Sequence, residues 1–312
     1  VYLGSLSWLA IVYFWQEVRH AAVRVLAFRR WWYDVHMGAS NRLEQITRAF
    51  ECLQSLRPLP QAVLEELRHR YEVSLTYHST AIEGNTLTQS ETQIVIEKGI
   101  TIAGKSIQEH LEIIGHKDAL GFVVDLANSN ELIGERQIRE IHSLVMKGQD
   151  SRDSGSYRNL DVRAAGTNYV YPSHLKVQEL MQEFTEWLAN GSSLHPILWA
   201  SEAHLKFVTI HPFRDGNGRV GRLLMNLLLL RHGYTVSVIP VFQRAQYIAS
   251  LEMAQNTGDR SKLDDLVILG VSESLRDVLE TALGSGELVL SPHERDVVDT
   301  CISGLIRYKE VG

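Results

Sequence analysis

Twelve consecutive residues, His211-Pro212-Phe213-Arg214-Asp215-Gly216-Asn217-Gly218-Arg219-Val220-Gly221-Arg222, constrain this chain more than any other stretch. They gather an imidazole, a carboxylate, turn-forming residues and two arginines. A mostly apolar run from Leu223 to Leu230 follows at once, and Gly233 stands where a helix would stop. Upstream, apolar residues at 199, 200, 203, 207 and 210 repeat at helical spacing. The pattern predicts a helix–loop–helix, with Asp215 to Gly218 as the turn and Arg219 in the first turn of the second helix.

That arrangement suits polyphosphate. Glycines let the backbone come close to a ligand, and the free N–H groups of a helix start form an anion site. Arg219 and Arg222 are three apart and share one helix face, and guanidinium groups grip phosphate oxygens in bidentate fashion. Asp215 would repel phosphates unless it holds a cation; Mg²⁺ bound by one carboxylate plus phosphates is the usual arrangement. His211, just before the turn, is placed to act as a general base. Gly216-x-Gly218-x-x-Gly221 also matches the dinucleotide fingerprint, but that needs a preceding strand, and a helical pattern stands there instead. A P-loop is excluded as well, on the reading that the chain holds no Gly-Lys-Ser/Thr. The loop reads as a nucleotide-transfer site.

The stretch resembles the signature of the Fic family, His-x-Phe-x-Asp/Glu-Gly-Asn-Gly-Arg-x-x-Arg, at every defined position. The resemblance implies a mainly helical (all-α) Fic fold with a short β-hairpin flap, and transfer of AMP from ATP to a hydroxyl side chain of a target protein. It implies that His211 deprotonates the target hydroxyl and that Asp215 binds Mg²⁺. It further implies that Asn217 and the amides of the loop from Gly216 through Gly218, Val220 and Gly221 hold the inner phosphates, and that Arg219 and Arg222 hold the outer ones. Upstream, Ser79-x-x-x-Glu83-Gly84-Asn85, continued by Thr86-Leu87-Thr88, is similar to the inhibitory motif of one Fic class. In that class the glutamate pairs with the second motif arginine, here Arg222, and keeps ATP from seating productively. Taken alone, Glu83 at a helix C-terminus opposes the helix dipole.

The family places adenine near Arg-x-x-Tyr-Tyr…Ala-Asn. This chain reads Arg244-Ala245-Gln246-Tyr247-Ile248, then Ala254-Gln255-Asn256. Tyr247 and Gln255 are therefore the candidate base contacts, with Ile248 and Gln255 departing from the pattern; core packing is the other reading of Tyr247. Family members often self-associate, so a homodimer is among the expected partners.

A length of 312 residues accommodates one large or two small domains. The chain is 45% apolar and 22% charged, ordinary for a soluble globular protein. A net charge of −6 leaves no footprint for nucleic acid. Cys52 and Cys301 are the only cysteines, which excludes a disulfide framework and makes a reducing, cytoplasmic location the default.

Along the chain, residues 1–36 form an uncertain extension. Val1 to Trp15 is uncharged and mostly apolar but shorter than the roughly 20 residues that span a bilayer. Met37 is read as the natural start, with a membrane anchor as the alternative. Helices are expected from Asn41 to Arg57 and from Gln61 to Ile82, where Gly84 or Asn85 takes the left-handed cap. Thr88-x-x-Glu91 and Ser106-x-x-Glu109 read as capping boxes. Helices over Ile107 to Leu126 and Glu135 to Lys147 carry His110, His116 and His142, read as packing or surface residues. Val162 to Ala164 and Tyr169 to Tyr171, around Gly166-Thr167-Asn168, form the expected flap hairpin, which by resemblance clamps the target segment. Helices follow over Ser173 to Asn190, Gln243 to Gln255 and Lys262 to Leu283. The expected organisation is 1–36 extension, 37–105 N-terminal helical region, 106–284 Fic core and 285–312 C-terminal extension.

The function expected is an autoinhibited protein adenylyltransferase using Mg²⁺ and ATP on a Ser, Thr or Tyr hydroxyl. A deAMPylase using the same site, or a non-enzymatic nucleotide-binding regulator, are the alternatives.

Overall fold

In the computed structural model the described residues are 39–148, 153–163, 167 and 169–305. Residues 1–36 and the expected start at Met37 lie outside them. The chain divides into two compact units, Val1–Gln45 and Ile46–Gly312. The described part of the first unit is the opening of helix α1, Ala39–Ser55. The boundaries expected at 105/106 and 284/285 both fall inside the second unit.

The second unit continues with α2 (Gln61–Ile82), α3 (Gln89–Lys98), α4 (Ile107–Ala127), α5 (Glu135–Val145), α6 (Val177–Asn190), α7 (Pro196–Ile210), α8 (Asn217–Arg231), α9 (Arg244–Thr257), α10 (Ser261–Gly284) and α11 (Pro292–Gly304). Local chemistry sets many of the ends. Thr88 and Ser106 each accept from the backbone N–H three residues on and receive Glu91 or Glu109 in return, so both capping boxes form. Beyond α2 the chain reverses at Gly84, whose φ of 105° belongs to glycine. Asn85 then fixes the new direction: its amide donates to the Glu109 carbonyl and to Glu112, while its oxygen accepts from Leu87 N–H.

Helix α8 is the central element. Leu223, Leu224, Met225, Leu227, Leu228 and Leu229 are all buried, as expected of a helix apolar nearly all round. It packs on α7, α4, α5 and α2. The α7–α8 approach is close-fitted: a Cβ on Gly221 would lie 2.8 Å from both His204 Nδ1 and Val208 Cγ1.

The described residues contain no strand. The expected hairpin is not formed at 161–163 or 169–171, and its turn lies largely outside the described residues. The buried guanidinium of Arg158 donates to the carbonyls of Leu160 and Pro172, which flank the segment. No helix among the described residues is long and apolar enough to cross a membrane.

The interior holds several neutral histidines. Burial lowers the pKa of His78 and His142 to about 4 and of His116 and His204 to about 3, from 6.5. Between those values the unfolded chain binds more protons than the folded one, so stability rises with pH across that window. Their contribution is complete above pH 6.5 and is lost as pH falls toward 4. Urea midpoints are therefore expected to drop from pH 7 to pH 5, and His116→Gln to flatten the drop. Gly221→Ala should cost about 1–3 kcal/mol by overpacking the α7–α8 crossing, read as a lower urea midpoint at unchanged slope.

Candidate active site

The loop between α7 and α8 is assembled from behind. His211 ends α7 in the left-handed region, φ 52° and ψ 58°, with its N–H on the Phe207 carbonyl at 3.0 Å. It is the one described non-glycine residue with positive φ, a strain of about 1–3 kcal/mol that the surroundings must maintain. Arg158, only 3% exposed, does much of this: its Nε donates to the His211 carbonyl at 2.8 Å, and its own N–H donates to Pro212 O at 2.9 Å. Asn217 clamps the turn. Its side-chain oxygen accepts from Phe213 N–H at 2.9 Å and its amide donates to Phe213 O at 2.8 Å.

His142 supports the other half. Its Nδ1 accepts from Gly155 N–H at 2.9 Å, so its Nε2 carries the proton and donates to the Asp215 carbonyl at 3.1 Å. The ring stacks on Phe213 with centroids 3.6 Å apart. Reading His142 as a packing residue on α5 missed this task; nothing in its own spacing signals it. Arg158 was also missed as a site residue.

The His211 ring leans on Tyr171, centroids 4.1 Å apart, and its Nδ1 lies 3.3 Å from the Val208 carbonyl. Donation from Nδ1 leaves Nε2 as the basic nitrogen. Burial lowers its pKa to about 4; Arg158 acts in the same sense, while the Val208 hydrogen bond, Glu83 and Asp215 oppose it. The imidazole is therefore neutral at physiological pH and able to accept a proton.

Asp215 presents an exposed carboxylate. One oxygen accepts from Gly216 N–H at 2.6 Å and the other lies 3.2 Å from Arg219, whose guanidinium is nearly buried. Among the described residues no group of three or more His, Cys, Asp or Glu is arranged for a metal. A Mg²⁺ held through one carboxylate and nucleotide phosphates requires no such group, and the exposed Asp215 carboxylate fits that role.

Arg222 is 5% exposed and fully engaged. Nε donates to Ser79 Oγ at 3.0 Å, and one terminal nitrogen donates to Ser79 O and Glu83 Oε1, both at 2.8 Å. The other reaches the Tyr247 hydroxyl at 3.4 Å. Burial opposes the Arg222 charge, but Glu83 and Tyr247 outweigh it and raise its pKa. A Cβ on Gly218 would lie 2.2 Å from Glu83 Oε1, so the Glu83 carboxylate rests against the opening turn of α8. Ser79 and Glu83 thus meet Arg222 from a segment far away in sequence, while Gly84 only turns the chain after them.

Other expected site residues are placed differently. Val220 and Gly221 are interior residues of the α7–α8 crossing, not loop amides facing outward. The Asn217 side chain is spent on Phe213, which leaves only its backbone N–H for a ligand. Tyr247 is 1% exposed, its hydroxyl 2.9 Å from His204 Nε2, and it underlies Arg222 as a core residue. Gln255 is half-buried, its amide 3.4 Å from Thr209 Oγ1.

The expectation that the chain holds no Gly-Lys-Ser/Thr is corrected by Gly99-x-x-x-x-Gly104-Lys105-Ser106, which stands between α3 and α4. The string follows a helix where a P-loop follows a strand. Lys105 Nζ is spent on the carbonyl and hydroxyl of Thr86, and the Ser106 N–H on the Glu109 carboxylate at 2.9 Å. The anion position at the start of α4 is filled by the chain itself.

Comparisons with known proteins agree with this geometry. The Fic/DOC family model matches residues 132–229, which ends within α8. Protein adenylyltransferase fic-1 of Caenorhabditis elegans is 37% identical over 232 residues, covering 71% of this chain and 45% of the relative. Protein adenylyltransferase Fic of Drosophila grimshawi is 43% identical over 221 residues, covering 70% and 45%. The chain thus spans about half the length of the curated relatives it matches. Among solved structures, a Fic-1 fragment from C. elegans superposes with a TM-score of 0.71 at 31% identity, covering 79% of this chain and 74% of the fragment. A Fic-domain signaling protein from Bacteroides thetaiotaomicron gives 0.72 at 26% identity, with 77% and 97% covered. With the loop signature, the helical architecture and these likenesses in agreement, the chain belongs to the Fic/DOC family.

Proposed function

We propose that this chain is an autoinhibited protein adenylyltransferase, transferring AMP from ATP to a Ser, Thr or Tyr hydroxyl of a target protein. The observation that carries the reading is the pair of states found on one loop: a neutral His211 ready to accept a proton, and an Arg222 already engaged by Glu83 at 2.8 Å. The names of the relatives point to the same chemistry.

In the proposed reaction His211 Nε2 takes the proton of the target hydroxyl as its oxygen attacks the α-phosphorus of ATP. The bond to the bridging oxygen breaks and pyrophosphate leaves. The backbone N–H groups that open α8 and the guanidiniums of Arg219 and Arg222 hold the phosphate oxygens, so positioning and charge neutralisation carry most of the rate. Asp215 would hold Mg²⁺, which supplies further charge neutralisation when bound. Tyr171 against His211 keeps the imidazole between the loop and the incoming segment.

Inhibition follows from competition for the same cation. While Glu83 accepts from Arg222 and lies over the start of α8, a phosphate must displace one carboxylate from both positions. Ser79 still supplies Arg222 with two acceptors when Glu83 is gone, so α2 keeps its seat.

Auto-modification with labelled ATP and Mg²⁺ tests the proposal. Glu83→Gly is expected to raise labelling roughly tenfold or more, the worth of one charge-assisted hydrogen bond. Adding His211→Ala to that variant should lower it by about 10²–10⁴-fold, as loss of a general base does. No label in any variant would argue instead for AMP removal, tested next with AMP-modified protein. The state of the base is checked separately by an NMR titration of the His211 ring, assigned against His211→Ala. Its midpoint is expected at about 4; a midpoint near 6.5 would contradict a buried, neutral base.

A further inference from the structure

We propose that Cys52 and Cys301 are a disulfide-forming pair that reversibly ties the C-terminal helix α11 to α1. They are the only cysteines of the chain and come from opposite ends of the second unit. Yet α11 brings Cys301 onto the face of α1 that carries Cys52. Cys301 Sγ lies 4.0 Å from the carbonyl oxygen of Arg48. Residues 48 and 52 are one turn apart on one face, and a helical side chain leans back toward the turn before it. The Cys52 side chain therefore covers the ground beside the Arg48 carbonyl, next to the Cys301 thiol, which adds to burial in raising the Cys52 pKa.

The environments of the two sulfurs divide the chemistry. Cys52 is buried, 8% exposed, and burial with the neighbouring thiol pushes its pKa up to about 12. Cys301 is half-exposed and reaches solvent. The thiolate of Cys301 attacks a small-molecule disulfide such as oxidised glutathione, forming a mixed disulfide and releasing one thiol. Cys52 then gives up its proton and displaces the second thiol from Cys301. Two protein thiols are oxidised and one external disulfide is reduced to two thiols; excess thiol reverses both steps. The link would clamp a helix that enters the core through the buried Val298 and Leu305 and otherwise rests chiefly on α10.

The test treats the whole chain with oxidised glutathione, blocks remaining thiols, and reads intact mass and linked peptides. The expected result is loss of two hydrogen atoms, a Cys52–Cys301 cross-linked peptide, and a melting temperature higher by about 5 °C, since a disulfide closing a long loop restrains the unfolded chain. Dithiothreitol should reverse all three. Cys301→Ser should abolish the shift without disturbing the core, which keeps the test valid if Cys52→Ser fails to fold. A glutathione adduct that persists on Cys301 while Cys52 stays alkylatable after unfolding would overturn the proposal. Cross-linking between chains through Cys301 alone would also overturn it.

Discussion

The guanidinium of Arg222 remains charged in the interior because α2 carries acceptors to it. A buried cation without partners costs several kcal/mol, more than most single contacts return. The Ser79 hydroxyl and carbonyl, Glu83 and Tyr247 together satisfy it, and three of these four acceptors come from one helical turn of α2. The pairing therefore decides where the C-terminal end of α2 sits. That position in turn requires the reversal at Gly84 and the Asn85 latch onto α4. What reads as a regulatory contact is also part of how the unit closes.

The signature divides its residues between two tasks. Phe213, Asn217, Val220 and Gly221 face inward and set the shape of the loop, while Asp215 and the basic edge of His211 face outward. Arg158 and His142, both outside the signature, complete the inward set by binding the carbonyls of His211 and Asp215. Both act on main chain, so the left-handed turn at His211 is over-determined by buried polar bonds. A strained residue persists only under such conditions, and the catalytic ring gains a fixed direction from it.

Local chemistry was legible in the sequence. The α2 boundaries at Gln61 and Ile82 and the boxes at Thr88 and Ser106 follow from residues within a few positions of one another, whereas the turn expected over Asp215 to Gly218 ends earlier, since α8 begins at Asn217. The signature also announced the neighbourhood of His211, Asp215 and Arg222. What stayed hidden depends on partners distant in the chain. Nothing near His142 says that its ring will meet Gly155 on one side and Asp215 on the other. Tyr247 has the spacing of a base contact, but His204 and Arg222 draw its hydroxyl into the core. The hairpin rested on Val162 to Ala164 and Tyr169 to Tyr171; its described residues form no strand, and the buried Arg158 binds the flanking carbonyls of Leu160 and Pro172.

The strength of the Glu83 contact follows from where it sits. Glu83 caps the C-terminal end of α2, where the helix dipole opposes a carboxylate. Its side chain is 39% exposed, so water screens its attraction to Arg222. Both effects weaken the contact relative to the Ser79 bonds, whose acceptors are buried and uncharged. The lock is thus built in two layers of unequal strength. Ser79 holds α2 against α8 whether or not the outer carboxylate is engaged. Under the proposed function, Glu83 is the layer that an incoming phosphate would displace, and its release would require no unfolding of α2.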